Sequence, residues 1–519
     1  MNVALEPSSC LPIDPARHVW IFIDSNFRWV LHQLACDLVD TEKHRVLLIV
    51  GSEQGEKLLR KEYLGRTFRG DIALAPQYPP ISTRPRTAAE KIATIAQAKA
   101  IEADYGIDMM RNFVQQERAL GRAFLSGSRG YPESGVSRAA NEDYVLRSFV
   151  GCFDHTIDLF KRYPPALCLG FSIALNRWTA PAQCLLARAA IPLRTIVSAR
   201  ISGKYYWADD LFESNARFTR AFQNTQMAGR EETETLLDEV RPNYANEASL
   251  HNDIWQQSLR WPVIARDVIR TYIRRTREHL ARSPNASHGM FASGISAMYI
   301  RTRIHRDRLR RLTRGWQARL ADRDFVFFPL QTEPETSLHS QSPEFSHQYH
   351  ALRELALSLP AGYLLAVKEH KWAIGRRHWS FYENIAAIPN VVLVDIAVPG
   401  IDLVRQGRAV GTISGSAGHE AALMGKPVIR FGRHNPICQL DHVHVIKSVD
   451  DLKVIRKVLS PSREEAEKAR IDGARYIKTL RQISFDLIKL NVISKPRTAE
   501  PELLDALKTT LAESLRDAR

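Results

Sequence analysis

The chain has 519 residues, 45% of them hydrophobic and 25% charged, which is typical of a globular protein and argues against a largely disordered one. The formal net charge of +15 predicts attraction to an anionic partner, such as a nucleotide, an acidic glycan, nucleic acid or the inner leaflet of a membrane, unless it serves solubility alone. We expect no secretory signal and no transmembrane helix, because no basic and apolar leader and no apolar run of about 18 residues is found. The six cysteines lack CxxC spacing and predict reduced, buried thiols of a cytosolic protein.

The first part of the chain alternates short apolar runs with helical patterns. Runs of this length, rich in β-branched residues, are typical of strands buried on both faces of a parallel sheet. We therefore predict an α/β lobe over residues 1–205. Its strands are expected within residues 19–25, 45–52, 71–77, 166–172 and 193–201.

Asp24 follows the opening strand of this lobe. Ligands of open parallel sheets bind outside the carboxyl ends of the strands, so a carboxylate there would face a cleft. Asp24 is our candidate for the base that deprotonates an acceptor hydroxyl; the alternative is that Asp24 or Ser25 caps the helix that starts near Phe27. A second polar cluster contains Glu117, Arg118 and Arg122, and Arg200 ends a strand.

Residues 206–320 are polar and predict a helical connector or insertion. Nine arginines lie between Ala297 and Arg323, against Asp307 and Asp322. Three interpretations stay open: a solvated helix face, an intramolecular partner for the acidic segment Glu231–Glu234, or a surface that binds an anionic membrane or acceptor.

The α/β pattern resumes after the connector and predicts a second doubly wound lobe over residues 321–450. Residues 451–519 read as helices that pack back on the lobes. Strands are expected within residues 325–330, 362–370, 390–395, 409–416, 427–432 and 442–448.

The most specific pattern is TISGSAGHEAALMGKPVIRFG, from Thr412 to Gly432. A buried strand ends in small residues, and a helix is expected to begin near His419 and Glu420. Small residues allow close approach of a ligand, and a helix N-terminus favours phosphate. The predicted contacts with a phosphate come from Ser414, Gly415, Ser416, Ala417 and Gly418. The alternative is a tight strand–helix junction capped by Ser416.

Two further strand ends carry polar residues. Lys368, Glu369 and His370 end one strand, where a lysine and a histidine suit a diphosphate and His370 is a catalytic candidate. Gln331 and Thr332 follow the first strand of the second lobe and would bond a base, ribose or sugar, unless they form an ordinary polar loop.

Other chemistries lack their sequence signatures. We find no HExxH motif, no metal-spaced histidine and cysteine set, no GxSxG elbow and no GxxxxGK[ST] loop, and the second lobe has no DxD pattern. We therefore predict neither a bound metal nor a cofactor. Nucleic acid is not an expected partner, because aromatic residues make up only 8% and no RNP-like or helix-turn-helix signature appears.

The stretch from Phe325 to about Val449 resembles bacterial capsule polysaccharide biosynthesis proteins, including the Kdo-transferase type. Its departures from the family pattern are Lys371, where proline is usual, and His419, where an aromatic or small residue is usual. The first lobe resembles the family more weakly, through Glu102–Gly106 and Glu117–Arg122. The matching segments of the second lobe are Phe328–Gln331, Val367–His370, Ile388–Val391 and Thr412–Gly432.

The resemblance implies a two-lobed GT-B fold and metal-independent sugar transfer from a nucleotide sugar, often a CMP-activated acidic one. On this basis residues 1–205 would bind the acceptor and residues 321–450 the nucleotide-activated donor, with Glu420 near the donor ribose. The expected product is a capsular or surface polysaccharide, extended on a glycan or glycolipid acceptor in the cytoplasm or at the inner membrane. A polyol-phosphate transferase of the teichoic-acid type and a hydrolysing sugar-nucleotide epimerase share this architecture and stay open. A non-catalytic basic protein that binds glycan or nucleic acid is the alternative from another class.

Overall fold

The computed structural model consists of two α/β lobes, each built on its own sheet. It describes residues 11–23, 28–81, 86–117, 120, 140–171, 177–201, 203–210, 212–227, 229–238, 261–280, 292–333, 335–487 and 500–517.

The first lobe contains a seven-stranded sheet in the order β13-β6-β5-β4-β1-β2-β3. Strands β1 to β5 are parallel, whereas β6 is antiparallel to β5 and β13 is antiparallel to β6. Every residue of β1 is buried, as expected for a continuous apolar run covered by helices on both faces. The strands are β1 His18–Ile23, β2 Arg45–Val50, β3 Asp71–Leu74, β4 Pro165–Phe171, β5 Leu193–Ser198, β6 Lys204–Ala208 and β13 Phe485–Asp486.

The second lobe contains a six-stranded sheet, parallel throughout, in the order β12-β11-β10-β7-β8-β9. Both sheets therefore start in the middle and wind outwards in two directions, which is the doubly wound order. The strands are β7 Phe325–Pro329, β8 Leu364–Lys368, β9 Val391–Val394, β10 Ala409–Thr412, β11 Val428–Arg430 and β12 Val443–Val445.

Helices connect the strands and cover both sheets. A π-helical turn at Met109–Val114 and short 3₁₀ turns supplement them. The α-helices are Arg28–Asp40, Glu53–Leu59, Ala88–Tyr105, Glu142–Arg162, Thr179–Arg188, Ala216–Asn224, Trp261–Leu280, Ala292–Leu312, Trp316–Leu320, Thr336–His339, Gln348–Ser358, Trp379–Ala386, Gly400–Gln406, Ser416–Leu423, Ile455–Val458, Arg463–Ile483 and Pro501–Arg516.

The C-terminal helices connect the two lobes. Helix Arg463–Ile483 packs on helix Ser416–Leu423 of the second lobe and on helix Ala216–Asn224, which follows the first sheet. The last helix, Pro501–Arg516, packs on the first lobe, where Leu507 O accepts a hydrogen bond from Trp207 Nε1 at 3.1 Å. A single hydrophobic cluster contains residues of both sheets and of helix Arg463–Ile483.

The predicted α/β class and the two doubly wound lobes are confirmed, and all eleven predicted strands are present. Two strands lie where we expected none. Lys204–Ala208 crosses the boundary expected between residues 205 and 206, so the first sheet extends into the segment assigned to the connector. Phe485–Asp486 interrupts the C-terminal helices and adds the outermost strand of the first sheet.

The arginine-rich stretch is partly attached to the second lobe. The guanidinium groups of Arg319 and Arg323 bond to backbone carbonyls, and Arg303 pairs with Asp307. The acidic segment pairs elsewhere, because Glu232 contacts Lys478 and Glu234 contacts Arg470. Within the described ranges, no helix is long and apolar enough to cross a membrane.

Candidate functional site

The polar motifs of the second lobe meet where its strand order reverses. Strands β7 and β10 are neighbours that start the two directions of winding, and such a switch point leaves a crevice at the carboxyl ends of the strands. The segment after β7, the end of β8 and the loop after β10 all lie at this edge.

Gln331 and Thr332, which follow β7, form hydrogen bonds with the loop after β10 and with the end of β8. The amide of Gln331 bonds to Ser414, with its Nε2 donating to Ser414 Oγ at 2.6 Å and its Oε1 accepting from Ser414 N at 3.1 Å. The hydroxyl of Thr332 lies 2.9 Å from His370 Nδ1. The structure therefore brings Gln331, Thr332, His370 and Ser414 into one site.

The hydrogen bonds of His370 define its tautomer. The Trp372 backbone N–H donates to His370 Nδ1 at 3.3 Å, so Nδ1 is the acceptor and Nε2 carries the proton. Desolvation inside the cleft, followed by the charge of Lys368, lowers the pKa of His370 to about 4. The residue stays open to solvent on one side, so at neutral pH the site offers a neutral, oriented N–H donor.

A buried network of ion pairs lies beneath the carboxyl edge of the second sheet. Arg377 is 1% exposed, and its Nη1 and Nε lie 2.9 Å from Glu333 Oε2 and Glu369 Oε2. Glu369 also accepts hydrogen bonds from Tyr382 Oη at 2.8 Å and from the His370 backbone N–H at 2.6 Å. Both oxygens of the Glu369 carboxylate are thus bonded within the chain and the residue is 2% exposed, so it lies behind the site.

The loop after β10 leads directly into helix Ser416–Leu423, which begins three residues earlier than expected. Gly415 is the N-cap and Ser416 the first helical residue, so neither the predicted start near His419 nor a Ser416 cap is observed. Gly418 packs against the strand, where an added Cβ would lie 2.7 Å from Thr412 Cγ2. The helix N-terminus is exposed at Ser416, and the first backbone N–H groups of a helix have no partner within the helix itself.

The remaining residues of the loop occupy two environments. Ser414 is 1% exposed and Ala417 8% exposed, so both lie beneath the surface of the site. Gly415 and Glu420 are half-buried beside the open face. His419 is buried, and its Nε2 lies 2.9 Å from Asn435 Oδ1, so this departure from the family pattern points away from the donor side.

Positive charge dominates the site. Lys368 is half-buried at the end of β8, where burial, followed by the charge of Lys371, lowers its pKa to about 8. Four cations surround the imidazole of His370 and act to lower its pKa: Lys368, Arg377, Lys371 and Arg376. Such an edge suits a ligand with phosphate groups.

The candidate residues of the first lobe lie only partly within the described residues. Asp24, the predicted base, lies outside the described residues, as do Arg118 and Arg122. Glu117 is 5% exposed, and its Oε2 accepts a hydrogen bond from the Arg177 backbone N–H at 2.9 Å. Two residues earlier, Gln115 Nε2 donates to Ser346 Oγ of the second lobe at 2.7 Å, so this part of the first lobe faces the cleft.

Sequence reasoning missed the residues that hold the site in place. Arg377, Glu333, Tyr382 and Gln348 make the buried contacts, yet in the sequence they read as ordinary polar positions. The only available signal was the pair Arg376-Arg377, two cations a few residues beyond a strand end.

The motif resemblance is confirmed over one third of the chain. Residues 265–435 match the family model described as capsule polysaccharide biosynthesis protein. This range contains the whole arginine-rich stretch, β7 to β11 and every residue of the site described above. A comparison with curated proteins gives no match.

Solved structures of two transferases and one epimerase are similar to the chain at low identity. KpsC of Thermosulfurimonas dismutans, a β-Kdo 2,4-transferase, has 12% identity and a TM-score of 0.28, covering 59% of this chain and 79% of its own. A UDP-GlcNAc 2-epimerase from Neisseria meningitidis, bound to UDP-GlcNAc, has 10% identity and a TM-score of 0.24, covering 90% and 97%. The calicheamicin glycosyltransferase CalG4 has 10% identity and a TM-score of 0.25, covering 89% and 94%.

Proposed function

We propose that this relative of the capsule polysaccharide biosynthesis proteins is a glycosyltransferase that moves a sugar from a nucleotide-activated donor to a growing capsular or surface polysaccharide. The observation that carries the proposal is the convergence, at one switch point, of an oriented N–H donor on His370, a free helix N-terminus at Ser416 and the ammonium group of Lys368. Together they match the charge of a nucleotide phosphate.

Sugar transfer breaks the bond between the anomeric carbon and the donor phosphate, and negative charge develops on that phosphate. Fixed donors aimed at developing charge lower the barrier, because they need no reorganisation during the reaction. We assign this role to His370 Nε2–H, Lys368 and the backbone N–H groups of Ser416 and Ala417. This set supplies positive charge from the chain itself, so we propose a metal-independent reaction.

The acceptor hydroxyl loses a proton as it attacks the anomeric carbon. A carboxylate of the first lobe is the appropriate base, and Asp24 remains our proposal for it, because it follows the central strand β1 at the switch point of the first sheet. Glu420, half-buried at the open face, is proposed to bond the donor ribose.

We also propose that the enzyme works in the cytoplasm against the anionic inner leaflet, where a glycolipid acceptor would be presented. The support is the cluster of arginines at the end of helix Ala292–Leu312 and just beyond it, where Arg310, Arg311 and Arg314 are exposed. Each basic residue near an anionic surface contributes about 1 kcal/mol, so a few of them suffice for reversible attachment.

The direct test is a panel of nucleotides followed by a transfer assay. CMP, UDP, GDP and CDP are added to the protein, and the melting temperature is measured. A nucleotide at a hundredfold excess over its dissociation constant stabilises the folded state by about 2.7 kcal/mol, so one of them should raise the melting temperature by several degrees.

The matching radiolabelled nucleotide sugars are then supplied with a capsular acceptor. Label in a longer glycan supports glycosyl transfer. Label in free epimerised sugar indicates an epimerase, transfer of a polyol phosphate from CDP-polyol indicates the teichoic-acid reaction, and binding without turnover indicates a non-catalytic protein. Each of these last three results contradicts the proposal.

A further inference from the structure

Residues 371–378 form a short segment that carries much of the positive charge of the candidate site. Lys371 and Arg376 belong to it, and the charges of both act to lower the pKa of His370. Because the segment begins at the residue after His370, a displacement of it would move the imidazole together with these cations. The contacts that hold the segment in place therefore decide whether the site is assembled.

The segment lies against helix Ala292–Leu312 of the arginine-rich connector, and the closest approach is at Gly375. An added Cβ on Gly375 would lie 2.5 Å from Thr302 Oγ1 and 2.6 Å from both Thr302 Cα and Thr302 N. Gly375 also has a φ of +80°, a backbone conformation that side chains disfavour. A glycine is thus required for the segment and the helix to lie this close together.

A hydrogen bond beside this contact joins the two elements. Thr302 Oγ1 donates to the backbone oxygen of Ile374 at 3.0 Å, so a side chain of the helix satisfies a carbonyl of the segment. Thr313, just beyond the end of the same helix, differs in this respect, because its Oγ1 donates to the nearby Arg310 O at 3.5 Å. The bond made by Thr302 therefore links the helix to the site.

His305 extends the contact to the buried network behind the site. Its ring is edge-on to those of Trp379 and Tyr382, with centroids 5.4 and 6.2 Å apart, and the residue is 6% exposed. Tyr382 Oη in turn donates to Glu369 Oε2 at 2.8 Å. Desolvation, followed by the charge of Arg301, lowers the pKa of His305 to about 4, so the ring is neutral at pH 7 and packs as an aromatic group.

The contacting residues lie on one face of the helix. Thr302, His305 and Leu309 follow one another at intervals of three and four residues, which is the spacing of a single helix face. Leu309 is 2% exposed and packs in the hydrophobic core of the second lobe. The core thus anchors the helix, and the helix gives the segment a rigid surface to rest on.

We propose that Thr302 and His305 are positioning residues of the donor site. They hold residues 371–378 in the place where the cations of this segment flank the donor phosphate. Both act through the segment and not by contact with the donor. The inference rests on the proposed function and adds that donor binding depends on the connector helix, since charged groups held in place stabilise an anion without reorganisation.

The first test compares Gly375→Ala with Gly362→Ala. Both glycines have a positive φ, +80° and +92°, so alanine introduces similar backbone strain at each, but an added Cβ on Gly362 meets no atom within 4 Å. Affinities for CMP, UDP, GDP and CDP are measured by calorimetry. Gly375→Ala should bind the nucleotide of the wild type about tenfold or more weakly, because contacts with a charged group are lost, whereas Gly362→Ala should bind it like the wild type. Equal affinities in the two variants would overturn the proposal.

Thr302→Val is the milder variant, with Thr313→Val as its matched control. After burial, the charge of Lys371 is the main cause that lowers the pKa of Lys368. If the segment moves away, this pKa should rise, and the alkaline increase in donor KM should begin at a higher pH than in the wild type. At pH 7 the donor KM of Thr302→Val should increase about twofold to tenfold, the effect of one hydrogen bond, and Thr313→Val should change neither quantity.

This pH profile separates positioning from stability. A purely structural role of Thr302 would lower the melting temperature and leave the profile of KM against pH where it is in the wild type. An unshifted profile in a folded Thr302→Val enzyme would therefore contradict the proposal. A wild type that binds none of the four nucleotides would overturn the proposed function instead.

Discussion

The imidazole of His370 is fixed on one side and free on the other. Thr332 and the Trp372 backbone occupy Nδ1, which leaves the Nε2–H as the only group on the ring that donates to a ligand. Loss of one oriented donor to developing charge typically costs about 10²–10³ in rate. His370→Ala should therefore lower turnover by about a hundredfold or more, measured with the donor that the wild type uses.

The fold of this variant is checked by its melting temperature. His370 is exposed, so little stability should be lost. Thr332→Val is the companion variant: it keeps the imidazole but removes its hydroxyl partner, and its loss of rate should be smaller. Full activity in a folded His370→Ala enzyme would remove His370 from the mechanism.

Lys368 gives the site a pH dependence on the alkaline side. Its pKa is lowered to about 8, so the ammonium is charged at pH 7 and is lost as the pH rises through 8. The KM for the donor should then rise, by about tenfold or more between pH 7 and pH 9.5, since a hydrogen bond to a charged group contributes about 1.5–3 kcal/mol.

Lys368→Arg stays charged over this range and should flatten the profile, with KM measured at each pH for both enzymes. His370 should add no transition near pH 6.5, because its pKa lies near 4. An alkaline rise in KM that persists unchanged in Lys368→Arg would assign the titration to another group.

The residue types at the strand ends were predictable from the sequence, but the buried residues that hold them in place were not. His370, Lys368 and Ser416 stand out because cationic and small residues follow apolar runs. Glu369 stood in the same motif and reads as a ligand group, yet it turns inward to Arg377. Whether a carboxylate at a strand end faces the cleft or the core depends on a partner eight residues away, which neither spacing nor periodicity reveals.

Among the elements, the end of helix Ala292–Leu312 makes the most direct prediction. Arg310, Arg311 and Arg314 are exposed, whereas Arg306 is half-buried near Asp395 and is unsuitable for a charge test. Replacing the three exposed arginines by glutamine should reduce co-sedimentation with anionic vesicles severalfold and leave the melting temperature unchanged.

A matched variant carries the same loss of charge elsewhere. Arg456, Lys457 and Arg463 are exposed in the C-terminal region, and their replacement by glutamine should leave vesicle binding near that of the wild type. Binding should also weaken with salt, as screening shortens to about 8 Å at physiological ionic strength. Equal binding to neutral and anionic vesicles, or equal losses in both variants, would contradict a specific basic surface.

Elements were predicted where the apolar pattern is continuous and missed where it is not. Strand β6, KYYWA, is polar at its start and aromatic within, and it joins the sheet as an antiparallel neighbour of β5. Strand β13 consists of two residues that pair only because the chain returns to the first lobe. Pairing of this kind depends on tertiary contacts and leaves no period in the sequence.

At the scale of the whole molecule, several sets of contacts join the lobes. Helix Arg463–Ile483 contacts both, Asn435 and Glu213 bond across the junction, and Gln115 reaches Ser346. The first two connections lie beside the candidate donor site. Donor entry is therefore expected to be coupled to movement of the lobes, and closure to exclude water from the reacting centre.

The central claim is that the donor phosphate binds at the carboxyl edge of the second sheet. The most direct measurement is a crystal structure of the enzyme with the nucleotide that it binds. We predict a phosphate oxygen within about 3 Å of His370 Nε2 and of a backbone N–H at Ser416 or Ala417. A nucleotide bound in the first lobe, or one in the second lobe that touches neither group, would contradict the account.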